Sequence, residues 1–317
     1  MKWAWMLGEV ASHKGNDQGK SKGEHTRGGI HMKLVAIDFD GTLLSADGTI
    51  SRENVQAIHE AQEQGHIIAI CSGRSLHDTE NILLNAGIEC PVITGNGAIA
   101  YHSDAPIKKW IMPENVVTEL LPLLEEEGYY YELYTNQGIY LMHKGKGQLE
   151  EEIRMVKEKD AEFPVEWAAN EVEIQFRQYG LHYFNQYADI DIADLEIYKI
   201  FVLSFNKERL KALRDRLAGR QDLSLTSSGW TKLEIAHKEV SKGNALAYMA
   251  NHLKIPMEDT VAIGDNLNDL SMFEVAGMGI AMGNAVDELK ELSTHITRNY
   301  NEDGVAHALR TYVLDER

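Results

Sequence analysis

The stretch Leu34-Val35-Ala36-Ile37-Asp38-Phe39-Asp40-Gly41-Thr42-Leu43-Leu44 decides how the rest of the chain is read. Four apolar residues run into two carboxylates, and a glycine and a hydroxyl follow. An apolar run of this kind predicts a strand buried on both faces, as in a parallel sheet. The carboxyl end of such a strand is where an open α/β sheet gathers its chemistry. On extended backbone, residues two apart share a side, so Asp38 and Asp40 are expected to face one pocket. Close carboxylates repel, and the usual remedies are a bound cation or a retained proton. The stretch therefore predicts a metal site, an acid–base pair, or both.

Working outward, strands and helices alternate after this strand. Ser51 is a candidate cap for a helix over 53–64 that ends at Gly65. Ile67–Cys71 reads as a second strand, followed by Ser72-Gly73-Arg74. A helix over 75–86 stops at Gly87, and a short strand, Val92–Thr94, precedes Gly95-Asn96-Gly97-Ala98. This β-α-β-α-β order predicts a parallel sheet with right-handed crossovers.

The pattern then changes. A helix is expected over 114–127, strands over 129–134 and 138–142 around Thr135-Asn136-Gln137-Gly138, and a charged helix over 147–159. A strand over 172–176 and a helical segment over 183–195 follow. Next come a strand over 197–205, a helix over 207–217 and paired strands over 223–226 and 232–236. This is a mostly antiparallel α+β module. The parallel style resumes with a helix over 241–253 and a strand over 260–263, which runs into Gly264-Asp265-Asn266-Leu267-Asn268-Asp269. A helix over 270–276, a strand over 278–281 and a helix over 285–292 complete the pattern. The prediction is an α/β fold, a doubly wound mostly parallel sheet formed by 32–112 and 237–317, with an α+β module inserted over 113–236.

Residues 1–31 stand outside this pattern. Lys14 to Gly29 is rich in Gly, Lys, Ser, His and Asp, and Met1–Val10 carries Glu9 and is short for a signal peptide. A non-native or disordered leader is expected there, with Met32 as the natural start.

Composition sets the limits. In 317 residues, 31 basic side chains against 49 acidic ones give a net charge of −18, which disfavours nucleic-acid binding. No apolar run approaches the roughly 18 residues of a membrane helix. Two cysteines, Cys71 and Cys90, make a disulfide framework improbable and fit a reducing cytoplasm. The 13 histidines fall at no metal-binding spacing.

In a parallel sheet all strand carboxyl ends lie along one edge. Asp38, Asp40, Asp265, Asp269, Ser72-Gly73 and Lys242, at the start of a helix, can therefore meet. Four carboxylates in one pocket require a hard cation, and oxygen ligands with room for water suit Mg²⁺. One lysine, one hydroxyl and glycine-rich backbone amides suit an oxyanion such as phosphate. Each piece alone is ordinary: Asp and Gly favour turns, and most lysines sit on solvated faces. The combination, in this order, is specific.

With these motifs in hand, the sequence resembles the haloacid dehalogenase superfamily of phosphatases, in particular its Cof-like sugar-phosphatase branch. The motifs that carry the resemblance are Asp38-Phe39-Asp40-Gly41-Thr42, Ser72, Lys242 in Ser241-Lys242-Gly243, and Gly264-Asp265-Asn266-Leu267-Asn268-Asp269. The inserted module is similar to that branch's large α+β cap of the C2B type; the region 161–196 matches least. The resemblance implies that Asp38 is a nucleophile forming an aspartyl phosphate, and that Asp40 is the general acid and then base. It implies Mg²⁺ on Asp38, the backbone carbonyl of Asp40 and Asp265, with Asp269 as close support. It implies that Ser72, the amides around Phe39 and Gly73, Lys242 and Asn268 hold the phosphoryl oxygens. Thr42 is expected to orient Asp40. Arg74 and Asn96 are candidates for substrate or cap contacts, with a structural role as the alternative.

The substrate expected is a small phosphorylated metabolite, a sugar phosphate foremost. Two other readings stay open: a phosphotransferase or mutase passing the phosphoryl group to a second alcohol, and a non-catalytic phospho-accepting module built like a receiver.

Overall fold

Leu34–Asp38 (β1) is buried along its whole length, and its four apolar side chains are fully excluded from solvent. Burying Leu34, Val35 and Ile37 contributes roughly 1.5–3 kcal/mol each. The computed structural model to which β1 belongs describes residues 26–27 and 30–314.

β1 is flanked on both sides by parallel partners. On one side lies β2 (Ile67–Cys71), with Asp38 opposite Cys71, and beyond it β3 (Val92–Thr94). On the other side lies β12 (Thr260–Gly264), with Ile37 opposite Ile263, then β13 (Met278–Ala281) and β14 (His295–Ile296). The chain thus moves outward from β1 in one direction, returns beside it, and moves outward in the other. Right-handed crossovers then put the helices of the two halves on opposite faces, with the switch point between β1 and β12.

Among these helices, α1 (Arg52–Glu63) packs on α9 (Gly304–Ala308), and α7 (Lys242–Leu253) packs on α8 (Leu270–Val275). The Ser51 hydroxyl caps α1 through the Asn54 amide, and Ser75 caps α2 (Leu76–Ala86) through the Asp78 amide.

The sheet has eight strands, more than the sequence predicted. β4 (Ile99–His102) and β5 (Ala105–Lys109) extend it as an antiparallel hairpin. Their turn holds Ser103 and Asp104 at φ +53° and +60°, a left-handed pair usually signalled by Asn-Gly, which this sequence lacks.

The inserted unit is a six-stranded sheet in the order β8-β7-β6-β9-β11-β10. Its strands are β6 (Tyr130–Thr135), β7 (Gly138–Met142), β8 (Leu181–Phe184), β9 (Ile197–Leu203), β10 (Leu223–Thr226) and β11 (Lys232–His237). All neighbours are antiparallel except β8 on β7. One face packs on α3 (Glu114–Glu126) and α6 (Lys207–Leu217) through Val117, Leu121, Tyr131, Leu133, Leu213 and Leu233. The other face packs on α4 (Gly145–Lys159) and α5 (Val165–Phe176) through Tyr130, Leu149, Val172 and Phe201.

Two expectations fail here. Residues 172–176 belong to α5, not to a strand. Val172, Ile174 and Phe176 alternate in sequence, but Val172 is buried while Ile174 is 40% exposed. The buried set is Ala168, Val172 and Gln175, which is helical spacing, and the helix starts directly after Pro164. Residues 183–195 are not helical either. They comprise the end of β8 and two single 3₁₀ turns, Tyr187–Asp189 and Ile192–Asp194.

Of the expected leader, Thr26–Arg27 pairs antiparallel with Ile30–His31; the remainder of that expectation lies outside the described residues. Among the described residues no helix is long and apolar enough to cross a membrane.

Candidate active site

β1 and β12 both end at the switch point, and each hands its next residues to a tight turn. After Asp38 the chain curls over Phe39–Leu43 and closes with the Leu44 amide on the Phe39 carbonyl at 2.9 Å. Gly41 makes this curl at φ +81°, and a Cβ there would lie 2.4 Å from a carboxylate oxygen of Asp265. Only glycine fits, so the backbone of the first motif rests directly on the fourth. Gly264 is a second close approach, since its Cβ would fall 2.6 Å from the Asp269 carboxyl carbon. Asp269 folds back and accepts from the amides of Asp265 (2.9 Å) and Asn266 (3.0 Å), which fixes the loop after β12.

Asp38, Asp265 and Asp269 each bring an oxygen within 4.8 Å of the others. Lys242, the first residue of α7, is 1% exposed and donates both to Asp38 and, at 2.6 Å, to Asp269. Three carboxylates against one ammonium leave the cluster short of positive charge. The titration behaviour agrees. Burial pushes Asp38 well above the usual carboxylate range, Asp269 and Asp265 push the same way, and Lys242 offsets them only in part. Burial and Asp269 also raise Asp265. Lys242 moves up despite its burial, because Asp269 and Asp38 hold its proton. A buried set of hard oxygens with surplus negative charge fits a divalent cation.

Asp40 lies elsewhere. Its side chain is 56% exposed and turned from the cluster onto Arg74, whose Nε and Nη2 approach its two oxygens at 2.7–3.2 Å. Asp78, buried in the first turn of α2, holds the far side of the same guanidinium at 2.6 Å. Asp38 and Asp40 thus line one cavity, but their carboxylates are held by different partners, Lys242 and Arg74. The extended run ends at Asp38, and the chain curls from Phe39 onward, so Asp40 does not continue the strand's two-residue alternation. The surroundings of Asp40 disfavour its charge, but the hydrogen bonds and charge of Arg74 outweigh them and hold its carboxyl below the usual range. Among Asp40's own side-chain contacts there is thus no role in the carboxylate cluster. Thr42 also departs from expectation: its hydroxyl donates to Asp265 at 3.3 Å rather than to Asp40.

The remaining sequence candidates gather around these groups. Ser72 is fully buried, and its oxygen accepts from the Arg74 amide at 3.0 Å, which leaves its O–H to donate. Gly73 lines the cavity beside Asp38. Asn268 lines it too and donates at 3.1 Å to Asn96, itself 2% exposed. The Phe39 ring is packed in the core, so only its backbone is left for chemistry.

A cavity of about 300 Å³ opens over Asp38, Asp40, Gly73, Arg74, Asn266 and Asn268. Its roof comes from the inserted sheet and α5: Tyr134, Glu171, Gln175, Gln178, Lys199, Phe201, Ser228, Lys232 and Glu234. A larger depression of about 1130 Å³ lies elsewhere on the inserted unit, against Met155, Phe163, Phe205 and Trp230. None of the motif residues lines it, so size does not mark the site.

Sequence reasoning missed the roof, and it missed Asn284, which donates to the Gly41 carbonyl (2.8 Å) and to Asp265 (3.3 Å). A signal for the roof was present. Glu132, Lys199 and Glu234 are charged residues in otherwise apolar strands, and all three are buried. Asp78 was legible too, as an acid four residues after Arg74 at a helix start.

Residues 35–309 match a family described as haloacid dehalogenase-like hydrolase. The chain is 37% identical over 288 residues to Phosphatase YwpJ of Bacillus subtilis, covering 88% of this chain and 99% of that protein. It is 35% identical over 277 residues to the B. subtilis 5-amino-6-(5-phospho-D-ribitylamino)uracil phosphatase YwtE, covering 87% and 96%. A solved haloacid dehalogenase-like hydrolase from B. subtilis superposes with a TM-score of 0.79 at 36% identity, covering 89% of this chain and all of that one.

Proposed function

The chain belongs to the haloacid dehalogenase-like hydrolase family and is a phosphatase, and we propose that it hydrolyses phosphomonoesters of small polyhydroxylated metabolites, sugar phosphates foremost, with Mg²⁺. The family match sets aside the reading as a non-catalytic receiver-like module.

In this reading an oxygen of Asp38 attacks phosphorus while the bond to the leaving alcohol breaks. The alcohol departs with a proton from Asp40, and the phosphoryl group remains on Asp38 as an acyl phosphate. Water then attacks phosphorus, Asp40 takes its proton, and phosphate leaves with Asp38 restored. The Arg74-bound, ionised state of Asp40 suits the second half. The first half requires Asp40 to carry a proton and so to loosen from Arg74.

Lys242 keeps the Asp38 carboxylate oriented and has a third N–H to offer a phosphoryl oxygen. Ser72, the amides near Phe39 and Gly73, and the second N–H of Asn268 supply the other donors. Asp38, Asp265 and the Asp40 carbonyl would hold Mg²⁺, with Asp269 bracing the loop through Lys242 and two amides. When bound, the cation supplies the positive charge that lets Asp38 be ionised and that offsets charge on the transferring group.

The observation that carries this reading is the roofed cavity. Its floor holds Asp38, Arg74 and Asn268, and its roof is mainly amides and charged groups. Its volume of about 300 Å³ suits a small leaving group, and its polarity suits hydroxyls over hydrocarbon. YwtE is named for a substrate with a phosphorylated ribityl chain, a leaving group of the same chemistry. The two cysteines are unpaired and suit a reducing compartment.

The test is a panel of sugar, polyol and nucleotide phosphates with Mg²⁺, with and without acceptor sugars, using Asp38→Asn as the blank. Expected are release of inorganic phosphate from polyol esters and an Asp38 adduct of one phosphoryl mass in quenched wild-type protein. No turnover on the panel would overturn the substrate reading, and transfer to the acceptors would favour the phosphotransferase.

A further inference from the structure

The face of the inserted sheet that looks toward the site carries a buried ion pair in a place where apolar side chains would be expected. Lys199 on β9 and Glu234 on β11 are 2% and 4% exposed, and their charged ends meet at 3.0 Å. Phe201 is the direct cross-strand partner of Glu234, so Lys199 reaches it along the diagonal on the same face. Burying such a pair gains little stability against well-packed apolar residues, which raises the question of what else it does.

Both charges reach out of their own unit. The Lys199 ammonium donates to the carbonyl of Gly73 at 2.5 Å, next to Ser72. Glu234 accepts from the side-chain amide of Asn96 at 2.6 Å. Asn96 in turn accepts from the side-chain amide of Asn268 at 3.1 Å, and its backbone N–H binds the Ser72 carbonyl at 3.0 Å.

Direction is built into this chain. A carboxylate beside an ammonium can only accept, so Glu234 forces the NH₂ end of Asn96 toward itself. The oxygen of Asn96 must then face Asn268, which fixes the NH₂ end of Asn268 toward Asn96. The orientation of an amide on the cavity floor is thus dictated by a charge in the roof.

We propose that Glu234, with Lys199 as its countercharge and Asn96 as its relay, is a positioning residue: it orients Asn268, and Lys199 holds the Ser72-Gly73 loop, so that the phosphoryl-binding donors are assembled only under a docked cap. This rests on the phosphatase reading of Asn268 as a phosphoryl donor.

The experiment is a double-mutant cycle with Mg²⁺ present. Glu234→Gln and Asn268→Ala are assayed singly and together on p-nitrophenyl phosphate and on acetyl phosphate, whose leaving group is too small to fill the roof. Expected for Glu234→Gln is a kcat loss of about tenfold or more on both substrates, shrinking to within about twofold when Asn268 is already alanine. Asn96→Gly provides the same readout with both members of the ion pair in place, and glycine accepts the φ of +57° at that position. It should reproduce the loss and the non-additivity even if Glu234→Gln folds poorly.

Equal losses in both backgrounds would overturn the relay. A loss confined to p-nitrophenyl phosphate would make Glu234 a leaving-group contact and overturn the proposal. A lower melting temperature with unchanged kcat would make the pair merely structural and overturn it too. A wild-type protein that cleaves neither substrate would overturn the phosphatase reading beneath it, which the other three outcomes leave standing.

Discussion

Lys242 Nζ bridges Asp38 and Asp269, tying the end of β1 to the loop after β12 through one fully buried ammonium. Removing it leaves buried carboxylates facing one another with no cation of the protein's own. Lys242→Met should therefore lower kcat by about 10²-fold or more. It should also cost roughly 3–5 kcal/mol of stability, as expected when one partner of a buried ion pair is deleted. Thermal melts beside turnover measure both. A loss of activity without a loss of stability would mean that the cluster does not depend on the lysine for its charge balance.

The surplus negative charge also predicts a metal-linked stability. Mg²⁺ bound only by the folded state raises the melting temperature with concentration. Asp265→Asn should abolish most of that rise, because Asp265 is the cluster member least committed to Lys242 and the backbone. EDTA should abolish turnover and be reversed by added Mg²⁺. A melting curve that ignores Mg²⁺ in the wild type would remove the cation from the site.

Arg74 keeps Asp40 charged. In its proposed role as general acid, Asp40 works only when protonated, so activity falls as pH rises through its pKa. Arg74→Gln removes the group that lowers this pKa, while the desolvating surroundings that raise it remain. The alkaline-side loss attributable to Asp40 should move to higher pH in the kcat/KM profile. A shift to lower pH would contradict the assignment of Asp40 as acid.

Glu132 gives a test that involves no catalysis. Burial raises its carboxyl to about 7, although Tyr130 and Gln178 donate to it and partly offset the burial. Its folded pKa lies above its unfolded value, so the folded state binds the extra proton between about pH 4.5 and 7. Stability from this group is present below that window and is lost as pH rises through it. The full loss is about 3 kcal/mol. Glu132→Gln should flatten the melting temperature across that range and be relatively more stable than wild type at pH 8. A mutant that tracks wild type at every pH would refute the shift.

The core was legible in the sequence because its signals are local. An apolar run such as Leu34–Ile37, ended by acids, identifies both a buried strand and its working end. The misreadings have physical causes. Val172, Ile174 and Phe176 alternate like a strand, and only packing on the sheet shows that the helical set Ala168, Val172 and Gln175 is buried. The turn of the β4–β5 hairpin uses Ser103 and Asp104 at positive φ with no glycine, so the usual Asn-Gly or Asp-Gly signal is absent. The direction of Asp40 depended on the chain leaving the extended conformation at Phe39, between the two acids. The roof was hidden because Lys199 and Glu234 lie 35 positions apart and acquire meaning only when strand pairing sets them side by side.

The return of the chain from roof to floor has a mechanical consequence. β11 ends at His237, and only four residues, 238–241, precede Lys242. Within that span Val240 is buried against the inserted unit and its carbonyl is held by Ser224, while the Ser241 hydroxyl caps α7. The slack between the two units on this side is therefore confined to the bonds around Val240 and Ser241. A swing of the roof acts on a very short lever whose other arm is the Lys242 ammonium. Lengthening that lever by a few residues would uncouple opening from the charge balance of the floor, so the span 238–241 is a gear as much as a connection.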